Sequence, residues 1–160
     1  MGTKPSPRLS AIVASLPLRP GIRVLEIGCG TGAAAREVAR RIEGGRVLAI
    51  DRSAKAIAAA IAKSQSEIAS GRLSYRHTAI EMFELADDEP RFDLAFAVRV
   101  GALDGRHPEL AERALDRIAT ALTPAGSLIL DGGDPVGAAA LSARAGSPFL
   151  QQTADRLLEP

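Results

Sequence analysis

The 160-residue chain has no tryptophan, and aromatic residues make up only 3% of it. Proteins that grip single-stranded nucleic acid stack bases on exposed aromatic rings, so this composition speaks against that class. The formal net charge is +1, with Lys and Arg scattered along the chain. There is no basic stripe, and nucleic acid is not an expected partner. No apolar run reaches the roughly 20 residues that span a bilayer. Met1–Ser10 carries Lys4 and Arg8 with no continuous apolar core behind them, so neither membrane insertion nor a secretory signal is expected. Cys29 is the only cysteine. No internal disulfide can form, and a reducing cytoplasm is the expected setting.

Hydrophobic residues make up 46% of the chain and charged residues 24%. That is enough for one folded domain over residues 1–160 with a core of its own. No internal repeat is present. Met1–Pro7 reads as a loose tail, and Leu9, Ile12, Val13 and Leu16 have the spacing of a short amphipathic helix. Segments at Ile22–Ile27, Arg46–Ile50, Leu73–His77, Phe92–Val98 and Ser127–Leu130 read as strands, the fourth almost continuously apolar after Asp93. Helical patterns lie between them at Thr31–Ile42, at a long second helix capped by Ser53 with Ile57, Ile61 and Ile68 as its buried stripe, and at a helix opened by Pro108. Alternation of this kind predicts an α/β fold, a Rossmann-like, doubly wound and mostly parallel sheet with helices on both faces. Ligands of such sheets bind beyond the carboxyl ends of the strands. Gly28, Asp51, Ala79, Arg99 and Asp131 all fall at or near such ends.

The most informative stretch is Val24-Leu-Glu-Ile-Gly-Cys-Gly-Thr-Gly32, an apolar strand that runs into a glycine turn and then into an alanine-rich helix. Glycine lets the backbone turn sharply and approach a ligand closely. The helix behind it offers free N–H groups and a positive dipole end. Asp51, at the end of the next strand, lies about 20 residues further on, where a carboxylate can accept hydrogen bonds from ribose hydroxyls.

Taken together these stretches resemble class I S-adenosylmethionine-dependent methyltransferases. Residues 24–32 resemble the first motif of that family, Ala49-Ile50-Asp51 the second, Phe92-Asp93-Leu94-Ala95-Phe96 the fourth-strand motif, and Leu122–Leu128 the turn into the fifth strand, with Ala125 where glycine is more usual. The resemblance implies that Glu26 orients the amino group of S-adenosylmethionine. Gly28, Cys29 and Gly30 would line its methionine part, Asp51 hold both ribose hydroxyls, Arg52 and the pair Ile80 and Glu81 contact adenine, and Val98 and Arg99 border the sulfonium. It also implies methyl transfer to a small-molecule acceptor. His107 is a candidate general base and Arg99 a candidate contact for an acidic acceptor; the plainer readings are an exposed histidine before a helix and a surface ion pair. No metal site is expected.

The chain also departs from that family. Many members add an antiparallel hairpin after the fifth strand, whereas residues 132–160 read as helices at Ala138–Ala145 and Phe149–Leu158. Those helices or a second copy of the chain would cover the sheet edge. Two other functions stay open at this point. Gly28 to Ala33 also fits the dinucleotide pattern G-x-G-x-x-A, which suits a nicotinamide-dependent oxidoreductase. A non-catalytic cofactor-binding subunit fits as well.

Overall fold

The computed structural model describes residues 4–144. The expected segments pair as parallel strands: β1 (Arg23–Ile27), β2 (Arg46–Asp51), β3 (Leu73–His77), β4 (Phe92–Ala97) and β5 (Leu122–Leu130). A two-residue strand, β6 (Val136–Gly137), runs antiparallel along β5. The order across the sheet is β3-β2-β1-β4-β5-β6. Strand order therefore reverses between β1 and β4, and a crevice opens beyond the carboxyl ends of those two strands. The expected Rossmann-like architecture is the one observed. The one difference at the far edge is β6, which the sequence reading left out. Two residues give almost no alternation to detect.

α1 (Pro7–Ser15) precedes the first strand, α2 (Ala33–Arg41), α3 (Ala54–Lys63), α4 (Gln65–Ala69) and α5 (Pro108–Ala121) lie between strands, and α6 (Ala138–Arg144) follows β6. Side chains alternate across a strand, and here that alternation builds two cores. Val24, Val47, Ala49, Leu94 and Phe96 face α1 and α2. Leu25, Ile27, Leu48, Ile50, Ala95 and Ala97 face α5 and the 3₁₀ turn at Ile80–Met82. Strands buried on both faces carry near-continuous apolar sequence for this reason.

Local chemistry sets the boundaries. Ser6 caps α1 by accepting a hydrogen bond from Leu9 N–H at 3.2 Å. Ser53 caps α3 through Ala56 N–H at 3.1 Å. The long helix expected after Ser53 is two helices, broken at Ser64. Ser64 is fully buried, with its hydroxyl 2.8 Å from the Tyr75 hydroxyl and 3.1 Å from Arg36 Nη1. Those two contacts draw the chain inward and end the helix. Ile61, expected in the buried stripe, is 39% exposed, while Ile57 is buried. The expected turn at Thr123–Gly126 lies inside β5 as an unpaired interruption. Phe92 pairs with Leu122, and the register resumes with Leu94 opposite Ser127. The helix expected at Phe149–Leu158 lies outside the described residues.

Candidate functional site

The glycine turn sits at the carboxyl end of β1 and is tied to β2. Gly28 N–H and Cys29 N–H both donate to the Ile50 carbonyl, at 2.8 and 3.0 Å. The chain then climbs into α2 through left-handed glycines, with φ of +70° at Gly28 and +54° at Gly30. A Cβ at Gly28 would lie 2.6 Å from Val100 Cγ2, so no side chain fits there. Nothing lies within 4 Å of a Cβ built at Gly30. Glycine at position 30 therefore satisfies the backbone conformation and leaves open space above the peptide.

Asp51 closes the turn from the neighbouring strand. Gly30 N–H donates to Asp51 Oδ2 at 2.8 Å and Ser53 N–H donates to Oδ1 at 2.8 Å. Each carboxylate oxygen has about two lone-pair sites, so each keeps one for a further donor. The carboxylate also lines a cleft shared with Gly28, Arg52, Ile80, Glu81 and Arg99. These are the groups a nucleoside would meet: two acceptor sites for vicinal hydroxyls, an exposed peptide, and the buried apolar face of Ile80. The residues present fit the adenosine half of S-adenosylmethionine.

Of the residues singled out from the sequence, Gly28, Asp51, Arg52, Ile80, Glu81, Arg99 and His107 line the cleft. Gly30 reaches it only through its hydrogen bond to Asp51. Glu26, Cys29 and Val98 are not on the cleft wall, and strand alternation explains two of them. Glu26 shares a face with Val24, and Val98 shares one with Leu94 and Phe96, both toward α2. Ile27 and Ile50 line the cleft from the opposite face. Val100 takes the place expected of Val98, because the chain turns at Arg99 and lays Val100 against Gly28. Thr78, Ala102 and Leu110 also line the cleft and carry no local motif.

Beneath the glycine turn lies a buried polar layer that the sequence reading did not anticipate. Glu26 is 5% exposed and Arg36 is 1% exposed. Arg36 Nη1 donates to the Thr31 carbonyl at 2.8 Å and to Ser64 Oγ at 3.1 Å. Glu26 Oε2 and Arg36 Nη2 have no hydrogen-bond partner among the described residues. Burial pushes the Glu26 carboxyl up to about 8, against the pull of the Arg36 charge and with some help from Asp51. The carboxyl is therefore mostly protonated at neutral pH. Burial also raises the Cys29 thiol, with Glu26 and Asp51 adding to the effect, so Cys29 is a poor nucleophile. Tyr75 is raised to about 12, chiefly by burial.

His107 stands at the N-cap position of α5 without a side-chain hydrogen bond to the helix. Its ring packs on Gly101, where an added Cβ would lie 2.6 Å from Cδ2. Nδ1 stands 3.5 Å from Glu109 Oε1. No cluster of His, Cys, Asp and Glu suited to a metal ion is found among the described residues. No helix among them is long and apolar enough to cross a membrane.

Comparison with known proteins places this geometry in a family. The family model described as a methyltransferase domain matches residues 24–126, a span that holds the glycine turn, Asp51, β4 and the start of β5. The ubiquinone biosynthesis O-methyltransferase of Nitrobacter winogradskyi is 35% identical over 114 residues, covering 71% of this chain and 40% of that protein. The protein of the same name from a Bradyrhizobium strain is 34% identical, covering 72% of this chain and 42% of its own. The chain thus spans less than half the length of these curated relatives. Among solved structures, the cyclase SpnF superposes with a TM-score of 0.62 at 27% identity, over 76% of this chain and 42% of that one. A methyltransferase from Geobacter sulfurreducens, solved with S-adenosylhomocysteine, superposes with a TM-score of 0.60 at 23% identity, over 81% and 49%. The family match settles the ambiguity of the glycine pattern on the side of the methyltransferase resemblance.

Proposed function

Because the chain belongs to the methyltransferase-domain family, we propose that it transfers a methyl group from S-adenosylmethionine to a small-molecule acceptor. The observation that carries this reading is the Asp51 carboxylate. It is fixed by two backbone N–H groups at the rim of a cleft and keeps acceptor capacity on both oxygens. Ribose hydroxyls are the donors such a carboxylate suits. The open peptide at Gly30 supports close approach by the cofactor's methionine part, and Arg52, Ile80 and Glu81 supply the wall for adenine. Glu26 acts from below, through the loop rather than from the cleft wall.

S-adenosylmethionine, when bound, supplies a methyl group already activated by its sulfonium. The protein's own share is positioning and exclusion of water. Val100 and Arg99 flank the glycine turn on the cleft side. His107 is the proposed base: Glu109 beside Nδ1 leaves Nε2 to take a proton from the acceptor. The same reading places the protein in the cytoplasm, on the strength of its cysteine usage.

The test is thermal unfolding with S-adenosylhomocysteine. A ligand that binds only the folded state stabilises it by mass action, by about 2.7 kcal/mol at a concentration 100 times its Kd. Wild type should show that rise and Asp51→Ala should not. A rise with NADH and none with S-adenosylhomocysteine would overturn the reading in favour of an oxidoreductase.

A further inference from the structure

Two residues other than glycine have left-handed backbone among the described residues: Arg99 at φ +54° and Asp131 at φ +50°. They follow β4 and β5 and hold each other. Arg99 N–H donates to Asp131 Oδ1 at 2.9 Å, and Asp131 N–H donates to the Ala97 carbonyl at 2.9 Å. Short polar residues such as Asp visit this region readily, and an arginine does so at a cost. The conformation is enforced from a second side. Arg106 Nη2 donates to the Arg99 carbonyl at 2.6 Å, while Asp104 neutralises Arg106 across 2.7 Å. Both peptide groups of Arg99 are thus clamped in a conformation that glycine would adopt without penalty. What glycine could not supply is the guanidinium.

That guanidinium has no hydrogen-bond or ion-pair partner among the described residues, and Arg99 lines the cleft beside Val100 and His107. The surface ion pair that would give it a purely structural role is not made. Strain held in place by surrounding contacts, around a side chain with no partner in its own chain, points to a partner from outside it. A planar guanidinium matches a carboxylate with two parallel hydrogen bonds.

We propose that Arg99 binds a carboxylate in the cleft, that this carboxylate belongs to the methyl acceptor, and that Arg99 thereby sets acceptor specificity. This rests on the methyl-transfer reading above. The cofactor's own carboxylate offers the same chemistry, and the experiment separates the two sources.

Wild type and Arg99→Gly, each saturated with S-adenosylhomocysteine, are titrated with 3,4-dihydroxybenzoate and with lactate, each acid against its own amide. Binding is followed by calorimetry and ligand-observed NMR. Wild type should bind at least one acid about tenfold more tightly than its amide, the low end for a hydrogen bond to a charged group. In Arg99→Gly the two should bind alike. That variant should keep its thermal stability, since glycine suits the backbone, and any change in its S-adenosylhomocysteine affinity should be smaller than its loss of acid-over-amide preference. The proposal is overturned if no acid is preferred over its amide or if the preference survives in Arg99→Gly. It is also overturned if that variant loses S-adenosylhomocysteine affinity about tenfold, which would assign Arg99 to the cofactor's carboxylate. Should S-adenosylhomocysteine not bind wild type at all, the methyl-transfer reading fails, and the acid-over-amide comparison on the free protein still decides what Arg99 holds.

Discussion

Replacing Glu26 with glutamine should stabilise the protein increasingly as the pH rises. The carboxyl is buried, one of its oxygens has no partner among the described residues, and burial lifts it from 4.5 to about 8. In the unfolded chain it returns to its ordinary value. Between those two pH values the folded protein keeps a proton that the unfolded chain has released. The native state binds more protons there, so the free energy of unfolding falls as pH rises, by up to about 1.4 kcal/mol per pH unit. This sign is the reverse of that for a salt-bridged carboxylate, which loses stability in acid. Below pH 4.5 the group contributes no slope, and above about pH 8 the whole penalty is in place. Its ceiling across that window is roughly 5 kcal/mol, comparable to the entire stability of many domains. Relaxation and a bridging water would reduce it. Glutamine keeps the shape and cannot ionise. Urea unfolding of both proteins at pH 5, 6, 7, 8 and 9 isolates the effect, since titrations common to the two cancel in the difference. The stability of the variant minus that of wild type should grow by about 2–5 kcal/mol over this range, most of it below pH 8. A flat difference would refute the reasoning: Glu26 would then be ionised in the folded protein at ordinary pH, with Arg36 as its effective partner.

Removing the opposing charge should move the same window. In Arg36→Met, Glu26 loses the positive charge that pulls its carboxyl down, so the stability decline in urea should continue past pH 8. Gly30→Ala should separate folding from binding. A Cβ there meets nothing within 4 Å, so stability should fall by only about 1 kcal/mol, the cost of a left-handed alanine, while the thermal shift with S-adenosylhomocysteine disappears. Gly28→Ala should do worse on stability, because its Cβ would lie 2.6 Å from Val100; chemical denaturation should show a loss of about 2–3 kcal/mol from overpacking and backbone strain together.

Much of the fold could be read from the chain because its two periodicities do not conflict. Five strands alternate with helices, the fourth strand almost continuously apolar, and the Ser53 cap of α3 is visible in sequence; the Ser6 cap lies in a segment that reads as a loose tail. Also visible are Gly28 and Gly30, whose residue type suits their left-handed backbone, and Asp51, whose place at the end of β2 puts its carboxylate beside the glycine turn. What sequence hid was decided at long range. Ser64 breaks a helix because Tyr75 and Arg36 reach it from other elements. Arg36 looks like one more exposed arginine of a charged helix, and it is fully buried. Val98, which the family resemblance puts beside the sulfonium, packs instead with Leu94 and Phe96 toward α2. Val100 reaches the cleft only because the chain reverses at a left-handed arginine, a conformation that sequence gives no reason to expect.

The arrangement divides labour between the faces of the sheet. On the α5 face, Ile27, Ile50 and Ile80 form a dry wall, and polar groups arrive only at the strand ends. On the α2 face, Glu26, Arg36, Ser64 and Tyr75 form a buried layer directly under the glycine turn. Gly32 joins the two: a Cβ there would lie 3.0 Å from Arg36 Nη1 and would strike the Tyr75 hydroxyl. The turn is therefore held from below by Tyr75 and Arg36, from the side by Ile50 and Asp51, and from above by Val100. Its N–H groups are fixed before any ligand arrives, so binding need not order the loop. That matters more for a reaction whose chemistry is carried by its cofactor than for one that needs a catalytic set from the protein, because alignment is then the protein's main contribution. The cyclase SpnF shares the fold, so the fold by itself does not choose the reaction. The choice lies in what faces the acceptor, which under the methyl-transfer proposal is the loop from Arg99 to His107.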